Sequence, residues 1–422
     1  MGDNKPVVVI VGGGFGGLAA AKALKGAPVQ VILIDRTNHH LFQPLLYQVA
    51  TAELSPSHIA SPIRGILKNN KNTMVLLGDV TGVDTAARCV VADSADRAGV
   101  RLPYDYLILA TGVQHSYFGH PEFEKHAPGL KSLADAVSVR NKILRAFEIA
   151  EAEEDPSLHQ DLLTFVLVGG GPTGVEMASA IAVMVRNILK SEFRRIDPTI
   201  VRILLIDHGA RPLATFAPGL SAAAKRRLER LGVDVRLGQR VDDIDEEGAV
   251  VAGERIASKT VIWTAGVEPS PAAKWLNAEA DHAGRVRVKA DLTIADHPEV
   301  FVVGDTASLD RDGKPLPGVA QVAMQQGRYA GNLIRRRVAG KPAPPPFSYF
   351  DKGNLAVVGK GFAVLESGKV QLSGFVAWLA WAAVHLEFLA QSSLRVTVFV
   401  QWVWTYITGQ RGSRLIVKHH PD

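Results

Sequence analysis

The chain has 422 residues, of which 47% are apolar and 21% are charged, and lysine plus arginine (47) exceed aspartate plus glutamate (42) by five. This composition excludes an intrinsically disordered protein, and the length predicts two or three domains. The single cysteine, Cys89, excludes a disulfide framework, a CxxC redox pair and a cysteine-rich metal site. We expect no metal centre. The basic residues form no aromatic-interleaved stripe, so we expect no nucleic-acid partner.

The first predicted elements are a strand, a glycine-rich turn and a helix, in the segment KPVVVIVGGGFGGLAAAKAL. Gly12, Gly14 and Gly17 fit the spacing G-x-G-x-x-G. In this pattern the first glycine permits the turn, the second lets a pyrophosphate approach the backbone, and the third lets helix and strand pack closely. The next apolar strand ends at Asp35, where a carboxylate can accept a hydrogen bond from a ribose hydroxyl.

The same order of elements returns in the segment LTFVLVGGGPTGVEMASAIAVMV, with Gly169, Gly171 and Gly174 at the same spacing and Asp207 at the end of the following strand. A carboxylate at that strand end would repel a 2′-phosphate, which favours NADH over NADPH. Two such loops predict two dinucleotides. The economical pair is a diffusing nicotinamide and a resident flavin, because a flavin accepts a hydride and passes on two electrons.

Three later strands, in YLILATG, TVIWTAG and EVFVVGDTASL, each run into a small-residue turn. Apolar strands that alternate with helices predict parallel sheets covered on both faces. The fold class is therefore α/β, with two Rossmann-like dinucleotide-binding domains, the second nested in the first. We expect a discontinuous first domain (1–125 and 285–340), a second domain (126–284) and, after the proline-rich linker AGKPAPPPFSY, a C-terminal region (341–422).

The C-terminal region contains two apolar segments rich in tryptophan, SGFVAWLAWAAVHLEFL and RVTVFVQWVWTYITGQR. Glu387 and Arg395 interrupt their apolar character, so neither predicts a membrane-spanning helix. Tryptophan and tyrosine with flanking basic residues suit helices that lie in the membrane interface, where Arg411, Arg414 and Lys418 would meet anionic headgroups. A buried dimer or core surface is the alternative interpretation.

Four segments carry a resemblance to a known family: NHHLFQPLLYQVATAELSP, AQVAMQQG, YFDKGNLAVVGK and QWVWTYITGQRGSRLI. Each resembles type II NADH dehydrogenases, the single-subunit NADH:quinone oxidoreductases that do not pump protons, and the resemblance covers essentially the whole chain. It implies tightly and non-covalently held FAD in the first domain, NADH as substrate, and ubiquinone or menaquinone as acceptor. It further implies a homodimer that is peripheral (monotopic) on the cytoplasmic face of the inner or plasma membrane and contacts its lipid.

The resemblance also implies the site residues. For FAD they are Gly12, Gly14, Phe15, Gly17, Asp35, Arg36, Gln43, Tyr47, Val80, Ala110, Thr111, Gly112, Gly304, Asp305 and Gln321. For NADH they are Gly169, Gly171, Pro172, Thr173, Gly174, Glu176, Asp207, Ala265 and Gly266. The catalytic residues it implies are Glu176, Gln321, Gln325 and Lys352.

The residues themselves are compatible with those roles. A helix from Ala320 to Val338 would place Gln321 and Gln325 on one face, where amides can hydrogen-bond both a quinone and a quinol. Glu176 could relay a proton, or it could be a helix-start carboxylate that the dipole stabilises. Two other functions stay open: an NADH-responsive flavoprotein sensor or scaffold with little turnover, and a related reductase of a quinone precursor. Cys89 alone argues against a sulfide:quinone oxidoreductase, which depends on cysteines, and excludes a disulfide reductase, which needs a redox dithiol.

Overall fold

The computed structural model describes residues 5–94, 96–311 and 313–417, without the side chains of residues 187–191 and 198. The chain forms two compact units, each assembled from three segments. The first unit consists of Met1–Leu41, Ala60–Gln114 and Val267–Asp351. The second unit consists of Phe42–Ile59, His115–Gly266 and Lys352–Asp422.

The first unit is built on an eight-stranded sheet. In spatial order its strands are Thr293–Ile294, His297–Val302, Tyr106–Leu109, Val7–Val11, Gln30–Asp35, Thr73–Asp84, Cys89–Ser94 and Val100–Pro103. The five from His297–Val302 to Thr73–Asp84 pair in parallel, and the strands outside them pair antiparallel. Val8 and Ile10 pack into one apolar cluster and Val9 and Val11 into another, so both faces of this strand are covered. That explains why its sequence is continuously apolar.

Two helices of the first unit carry candidate site residues. The first-loop helix is Phe15–Ala23 and the glutamine helix is Ala320–Val338, whose bounds confirm the prediction. The remaining helices of this unit are Ile63–Ile66, Ala272–Leu276 and the 3₁₀ turn Gly304–Thr306. Its short strands are His39–Leu41, Ala60–Pro62, Val267–Pro269, Val286–Arg287, Ala307–Ser308, Asp310–Arg311 and Lys314–Pro315.

The second unit has a four-stranded parallel sheet in the order Val233–Leu237, Arg202–Asp207, Thr164–Val168, Thr260–Trp263. A three-stranded antiparallel sheet follows the order Val241–Asp245, Gly248–Val251, Glu254–Ala257. The second-loop helix is Pro172–Glu192. The other helices are Leu46–Ala50, Pro56–Ile59, Leu133–Ala152, Pro156–Leu162 and Pro218–Arg230, with 3₁₀ turns at Gln43–Leu45, Pro121–Lys125 and Pro198–Ile200. The short strand Val113–His115 lies where the chain passes from the first unit to the second.

The chain ends in a second antiparallel sheet and two helices. The sheet contains Asn354–Val357, Ala363–Ser367 and Val370–Gly374. The tail helices are Phe375–Phe388 and Ser392–Thr408. Within the ranges that the structure describes, no helix is both long and apolar enough to cross a membrane. The predicted α/β fold with two glycine-loop units is confirmed, whereas membrane association of the tail stays a prediction.

Candidate functional site

The first glycine loop has the backbone that a dinucleotide requires. Gly12 has φ +101°, and a Cβ there would lie 2.4 Å from the carbonyl oxygen of Ala110. A Cβ on Gly17 would lie 1.8 Å from the carbonyl oxygen of Gly12, so only glycine lets the helix approach this closely. At Gly14 no atom lies within 4 Å of the Cβ position. The loop therefore leaves open space in front of a helix N-terminus, which is where a pyrophosphate fits.

Asp35 stabilises this loop. Its Oδ2 accepts a hydrogen bond from the backbone N–H of Gly13 at 2.5 Å, and its Oδ1 accepts from the backbone N–H of Thr37 at 2.6 Å. An ionised carboxylate has about four acceptor sites, so capacity remains for a ribose hydroxyl. Arg36 is exposed. Asp35 therefore lies against the first glycine loop, and its contact with FAD stays a prediction.

His40 was not among the predicted residues, although it lies against the same loop. It is buried, and its Nδ1 lies 3.1 Å from the carbonyl oxygen of Gly13. Because a carbonyl can only accept, Nδ1 carries the proton. Burial lowers the pKa of His40 to about 4, so the ring is neutral near pH 7. Its edge contacts the ring of Phe15, with 5.0 Å between ring centroids.

Two other predicted FAD residues of the first unit, Thr111 and Gly112, belong to a small hydroxyl network. The Thr111 hydroxyl lies 2.5 Å from the Ser270 hydroxyl, and the Thr306 hydroxyl donates to the carbonyl oxygen of Gly112 at 2.6 Å. The backbone N–H of Gly304 donates to Oε1 of Gln326 at 2.7 Å. Ala110 follows the strand Tyr106–Leu109, Asp305 lies in the turn Gly304–Thr306, and the Val80 side chain is buried in the sheet core. Ser270 carried no recognisable sequence signal, whereas Thr306 and Gln326 lie within the segments EVFVVGDTASL and AQVAMQQG without having been predicted as site residues.

Gln321 and Gln325 lie on the glutamine helix as predicted, but their amides have protein partners. The Gln325 amide donates to the carbonyl oxygen of Phe350 at 2.9 Å and accepts from the Phe350 N–H at 3.0 Å. The Tyr349 hydroxyl lies 3.5 Å from Oε1 of Gln321. Gln325 therefore orders the segment around Phe350, and a direct quinone contact by either amide stays a prediction.

The second glycine loop repeats the first. Gly169 has φ +112°, and a Cβ on Gly174 would lie 1.9 Å from the carbonyl oxygen of Gly169. No atom lies within 4 Å of the Cβ position of Gly171. Asp207 accepts from the N–H of Gly170 at 2.5 Å through Oδ2. The loop leads into the helix at Pro172 and Thr173.

Arg211 and the turn at Ala265 and Gly266 lie in the same unit. The Arg211 guanidinium donates to the carbonyl oxygens of Phe216 and Ala214 at 2.6 and 2.8 Å. It is therefore held by its own loop. Gly266 has φ +69°, and a Cβ there would lie 2.4 Å from the ring of Phe118.

The second unit brings Glu176 and Tyr47 together, although the sequence assigned them to different cofactors. Both side chains are buried, and Oε1 of Glu176 accepts from the N–H of Val357 at 3.4 Å. Burial raises the pKa of Glu176 to about 8. Burial, followed by the charge of Glu176, raises the pKa of Tyr47 well above its usual value. A pKa raised this far is the reverse of what a dipole-stabilised carboxylate would show.

Tyr47 also lines a cavity in the second unit. Aromatic side chains dominate its wall: the ring centroids of Trp381 and Trp402 are 5.1 Å apart, and those of Trp378 and Tyr406 are 5.4 Å apart. The other lining residues are Gln48, Glu53, Ser179, Ala180, Val183, Val357, Gly359, Lys360, Thr405 and Arg411. The flat faces of these aromatic side chains suit a flat, apolar ligand ring.

The prediction that Arg411 contacts lipid headgroups is wrong. Its side chain is 3% exposed, and it donates to the carbonyl oxygens of Thr51 at 2.6 Å and Ala180 at 3.3 Å. Its Nη2 lies 3.8 Å from the carboxylate of Glu53. Arg411 is buried because these backbone acceptors need a donor. Arg414 pairs with Glu192, and Lys418 lies outside the described residues.

The last two predicted residues lie elsewhere in the second unit. The ammonium of Lys352 lies 5.1 Å from the ring centroid of Phe388, a cation–π contact. The Gln43 amide donates to the carbonyl oxygen of Lys131 at 3.1 Å. Neither lines the cavity described above.

Comparison with known proteins identifies the family. Residues 6–327 match the family described as pyridine nucleotide-disulphide oxidoreductase. The chain is 45% identical over 420 residues to the type II NADH:quinone oxidoreductase Ndh of Mycobacterium tuberculosis, which covers 97% of this chain and 90% of that protein. The chain belongs to the type II NADH:quinone oxidoreductases. A second member from the same organism, NdhA, is 44% identical and covers 97% of this chain and 89% of that protein.

The fold of the type II NADH:quinone oxidoreductases extends over the whole chain. The structure of NDH2 from Plasmodium falciparum in complex with NADH superposes with a TM-score of 0.87 at 21% identity, covering 98% of this chain and all of that one. Family membership implies FAD, and the first glycine loop fits it through the open space at Gly14 and the carboxylate of Asp35. The lone cysteine leaves no redox dithiol, so this chain lacks the disulfide chemistry after which the wider family is named.

Proposed function

We propose that this protein oxidises NADH and reduces a quinone to a quinol, with FAD held in the first unit. The balanced reaction consumes one NADH, one proton and one quinone, and yields NAD⁺ and quinol. When bound, FAD accepts the hydride of NADH and passes two electrons to the quinone. The observation that carries the proposal is Glu176, a buried carboxyl on the second-loop helix that lies near Tyr47 and the aromatic cavity.

Each glycine loop binds one dinucleotide. In the first unit, Gly12, Gly14 and Gly17 accommodate the pyrophosphate of FAD and Asp35 accepts from its ribose. In the second unit, Gly171 and its neighbours hold the pyrophosphate of NADH at the helix N-terminus. Asp207 accepts from the ribose of NADH and repels the extra phosphate of NADPH. The guanidinium of Arg211 donates to two carbonyl oxygens of its own loop, which fixes its position there.

Glu176 supplies a proton where the quinone is reduced. Because burial raises its pKa to about 8, the carboxyl is mostly protonated at pH 7. A group whose pKa lies near the working pH is best suited to transfer a proton. We assign the quinone ring to the aromatic cavity, since Tyr47, Trp381 and Trp402 offer it flat apolar surfaces.

We further propose that the protein is peripheral on the cytoplasmic face of the membrane and that it forms a homodimer. Support comes from the tail helices, which leave large apolar side chains exposed. These are Phe375, Val376, Leu379, Val384, Val396, Phe399, Val400, Val403, Trp404, Tyr406 and Ile407. An apolar surface of this kind marks a membrane or protein interface. Replacing Phe399 and Ile407 by Asp should reduce co-sedimentation with lipid vesicles, and unchanged sedimentation would exclude lipid contact at these positions.

The absorption spectrum of the purified protein tests the proposed reaction. Under argon, added NADH should bleach the visible flavin bands, and a short-chain quinone should restore them. With both substrates present, NADH should be consumed continuously, whereas NADPH should react far more slowly. A folded protein that cannot be loaded with FAD would contradict the proposal. Flavin that NADH reduces but quinone does not reoxidise would favour the sensor or scaffold function instead.

A further inference from the structure

A chain of hydrogen bonds with a fixed direction leads from a tail helix to Tyr47. The indole N–H of Trp402 lies 2.8 Å from Oε1 of Gln48, and Nε2 of Gln48 lies 3.0 Å from the hydroxyl oxygen of Tyr47. An indole N–H can only donate, so the amide oxygen of Gln48 must face Trp402. The amide nitrogen then faces Tyr47 and donates to it. The direction of donation is therefore set by Trp402.

This direction determines what the Tyr47 hydroxyl can do. Its oxygen accepts from Gln48, so its own proton must point elsewhere. Among the residues that the structure describes, no acceptor for this proton lies within hydrogen-bonding distance. The side chain is buried and lines the cavity, where an unpaired donor is costly. A ligand oxygen would remove that cost.

A second donor in the same cavity has the same need. The indole nitrogen of Trp381 is buried without a hydrogen-bond partner among the described residues. Trp381 stacks on Trp402 and also lines the cavity. The Tyr47 hydroxyl, which lines the cavity, therefore favours a ligand that offers an acceptor oxygen on a flat ring, and the Trp381 nitrogen adds a further buried donor in the cavity wall. The two carbonyl oxygens of an oxidised quinone have this character.

We propose that Trp402 and Gln48 orient the hydroxyl of Tyr47 so that it donates a hydrogen bond to a carbonyl oxygen of the quinone. Trp402 and Gln48 are positioning residues, and Tyr47 is the residue that touches the substrate. The inference rests on the NADH:quinone activity proposed above. It gives one tail helix a role at the site that is independent of any contact with lipid.

A double-mutant cycle tests this arrangement in the detergent-solubilised full chain loaded with FAD, with menadione as the soluble quinone. Tyr47→Phe removes the donor, and we expect kcat/KM for menadione to fall about tenfold, the upper value of one hydrogen bond. Trp402→Phe keeps an aromatic ring at this position but removes the N–H that orients Gln48. We expect kcat/KM for menadione to fall about threefold. If Trp402 acts through Tyr47, the double variant is no slower than Tyr47→Phe alone.

Two further variants separate orientation from packing. Trp404→Phe makes the same change at an exposed position of the same helix and should leave kcat/KM unchanged. Gln48→Glu keeps the shape, but its carboxylate accepts the Tyr47 proton, so we expect a loss similar to that of Tyr47→Phe. Melting temperature and FAD content should stay near wild type in Trp404→Phe, and FAD content should stay near wild type in Gln48→Glu.

The outcomes distinguish the inference from the activity on which it rests. Flavin reduction by NADH without quinone should be slowed less than quinone turnover in Tyr47→Phe, Trp402→Phe and Gln48→Glu, and it should be unchanged in the control variant Trp404→Phe. Losses that multiply in the double variant, or equal effects of Trp402→Phe and Trp404→Phe, would overturn the orienting role. A wild-type protein whose FAD is not reduced by NADH, or is not reoxidised by menadione, would instead overturn the proposed function.

Discussion

The two glycine loops have almost the same backbone, and the helices that come after them differ. In both, the third glycine touches the carbonyl oxygen of the first, at Cβ distances of 1.8 and 1.9 Å. In both, a carboxylate at the next strand end accepts from the middle of the loop at 2.5 Å, Asp35 in one and Asp207 in the other. This shared geometry binds a pyrophosphate and a ribose, and it contains no redox or proton chemistry of its own.

The difference appears two residues after the third glycine. The first-loop helix has Ala19 there, whereas the second-loop helix has Glu176. Glu176 is buried and its pKa is raised to about 8 by that burial. A buried carboxyl is costly to ionise, so the stability of the fold gives no reason for glutamate rather than alanine at this helix position. The comparison therefore indicates that the second helix combines cofactor binding with proton transfer.

The largest expected effect comes from Gly14→Ala. Gly14 has φ −72° and open space at its Cβ position, so alanine fits the folded backbone. The added methyl group would occupy the space proposed for the FAD pyrophosphate. We expect a folded, colourless protein without activity, measured by circular dichroism and flavin absorbance. Gly17→Ala is the contrasting variant, because its Cβ would overlap a backbone oxygen and prevent folding. Gly14→Ala protein with full FAD content would place the pyrophosphate elsewhere.

Glu176→Gln should have the next largest effect. Loss of a general acid typically costs about 10²- to 10⁴-fold, so we expect quinone turnover at saturating NADH to fall about 100-fold. In the wild type, turnover should decrease above pH 8 as Glu176 loses its proton. The residual activity of Glu176→Gln should lack that decrease. Undiminished turnover in the variant would show that the two helices do not differ in proton chemistry.

The same variant should be more stable than the wild type at alkaline pH. The pKa of Glu176 is higher in the folded protein than the usual value of 4.5, so the folded state binds more protons between those two pKa values. Wild-type stability should then decrease as the pH rises from about 4.5 to about 8, by at most about 5 kcal/mol at 1.36 kcal/mol per pKa unit. Melting curves of Glu176→Gln should lack this slope, and parallel curves would contradict the raised pKa.

Gly171→Ala makes the matching change in the second loop and should act more weakly. Gly171 has φ −70° and an open Cβ position, so the fold and the FAD content should be preserved. A steric cost of about 1–3 kcal/mol predicts that the KM for NADH rises about tenfold or more. Steady-state kinetics at a constant menadione concentration measure this KM. If Gly14→Ala and Gly171→Ala both released FAD, the assignment of one dinucleotide to each loop would be wrong.

Local patterns in the sequence predicted the loops well and the cavity poorly. The glycine spacing, the apolar strands and the bounds Ala320–Val338 depend on neighbouring residues, so they can be read from sequence. Tyr47 and Gln48 are adjacent in the chain, whereas Trp402 lies hundreds of residues later. No period or motif connects Trp402 with the other two. Gln48 could be recognised only through its two partners. The network around Thr306 and Ser270 escaped prediction for the same reason.

Arg411 shows the same limit and leads to the smallest expected effect on activity. A basic residue near an aromatic helix end resembles a lipid contact in the sequence, yet its guanidinium is buried near Glu53 and Thr51. Arg411→Met would leave the Glu53 carboxyl and two backbone carbonyls without this partner, which costs about 3–5 kcal/mol for a buried pair. We expect a lower melting temperature with nearly normal flavin reduction.

The control variant Arg395→Met, which breaks an exposed pair with Glu387, should cost at most about 1 kcal/mol. Equal losses in the two variants would show that the Arg411 contact contributes no more than a surface pair. A large loss of vesicle binding by Arg411→Met, with an unchanged melting temperature, would contradict the buried role and indicate contact with lipid headgroups.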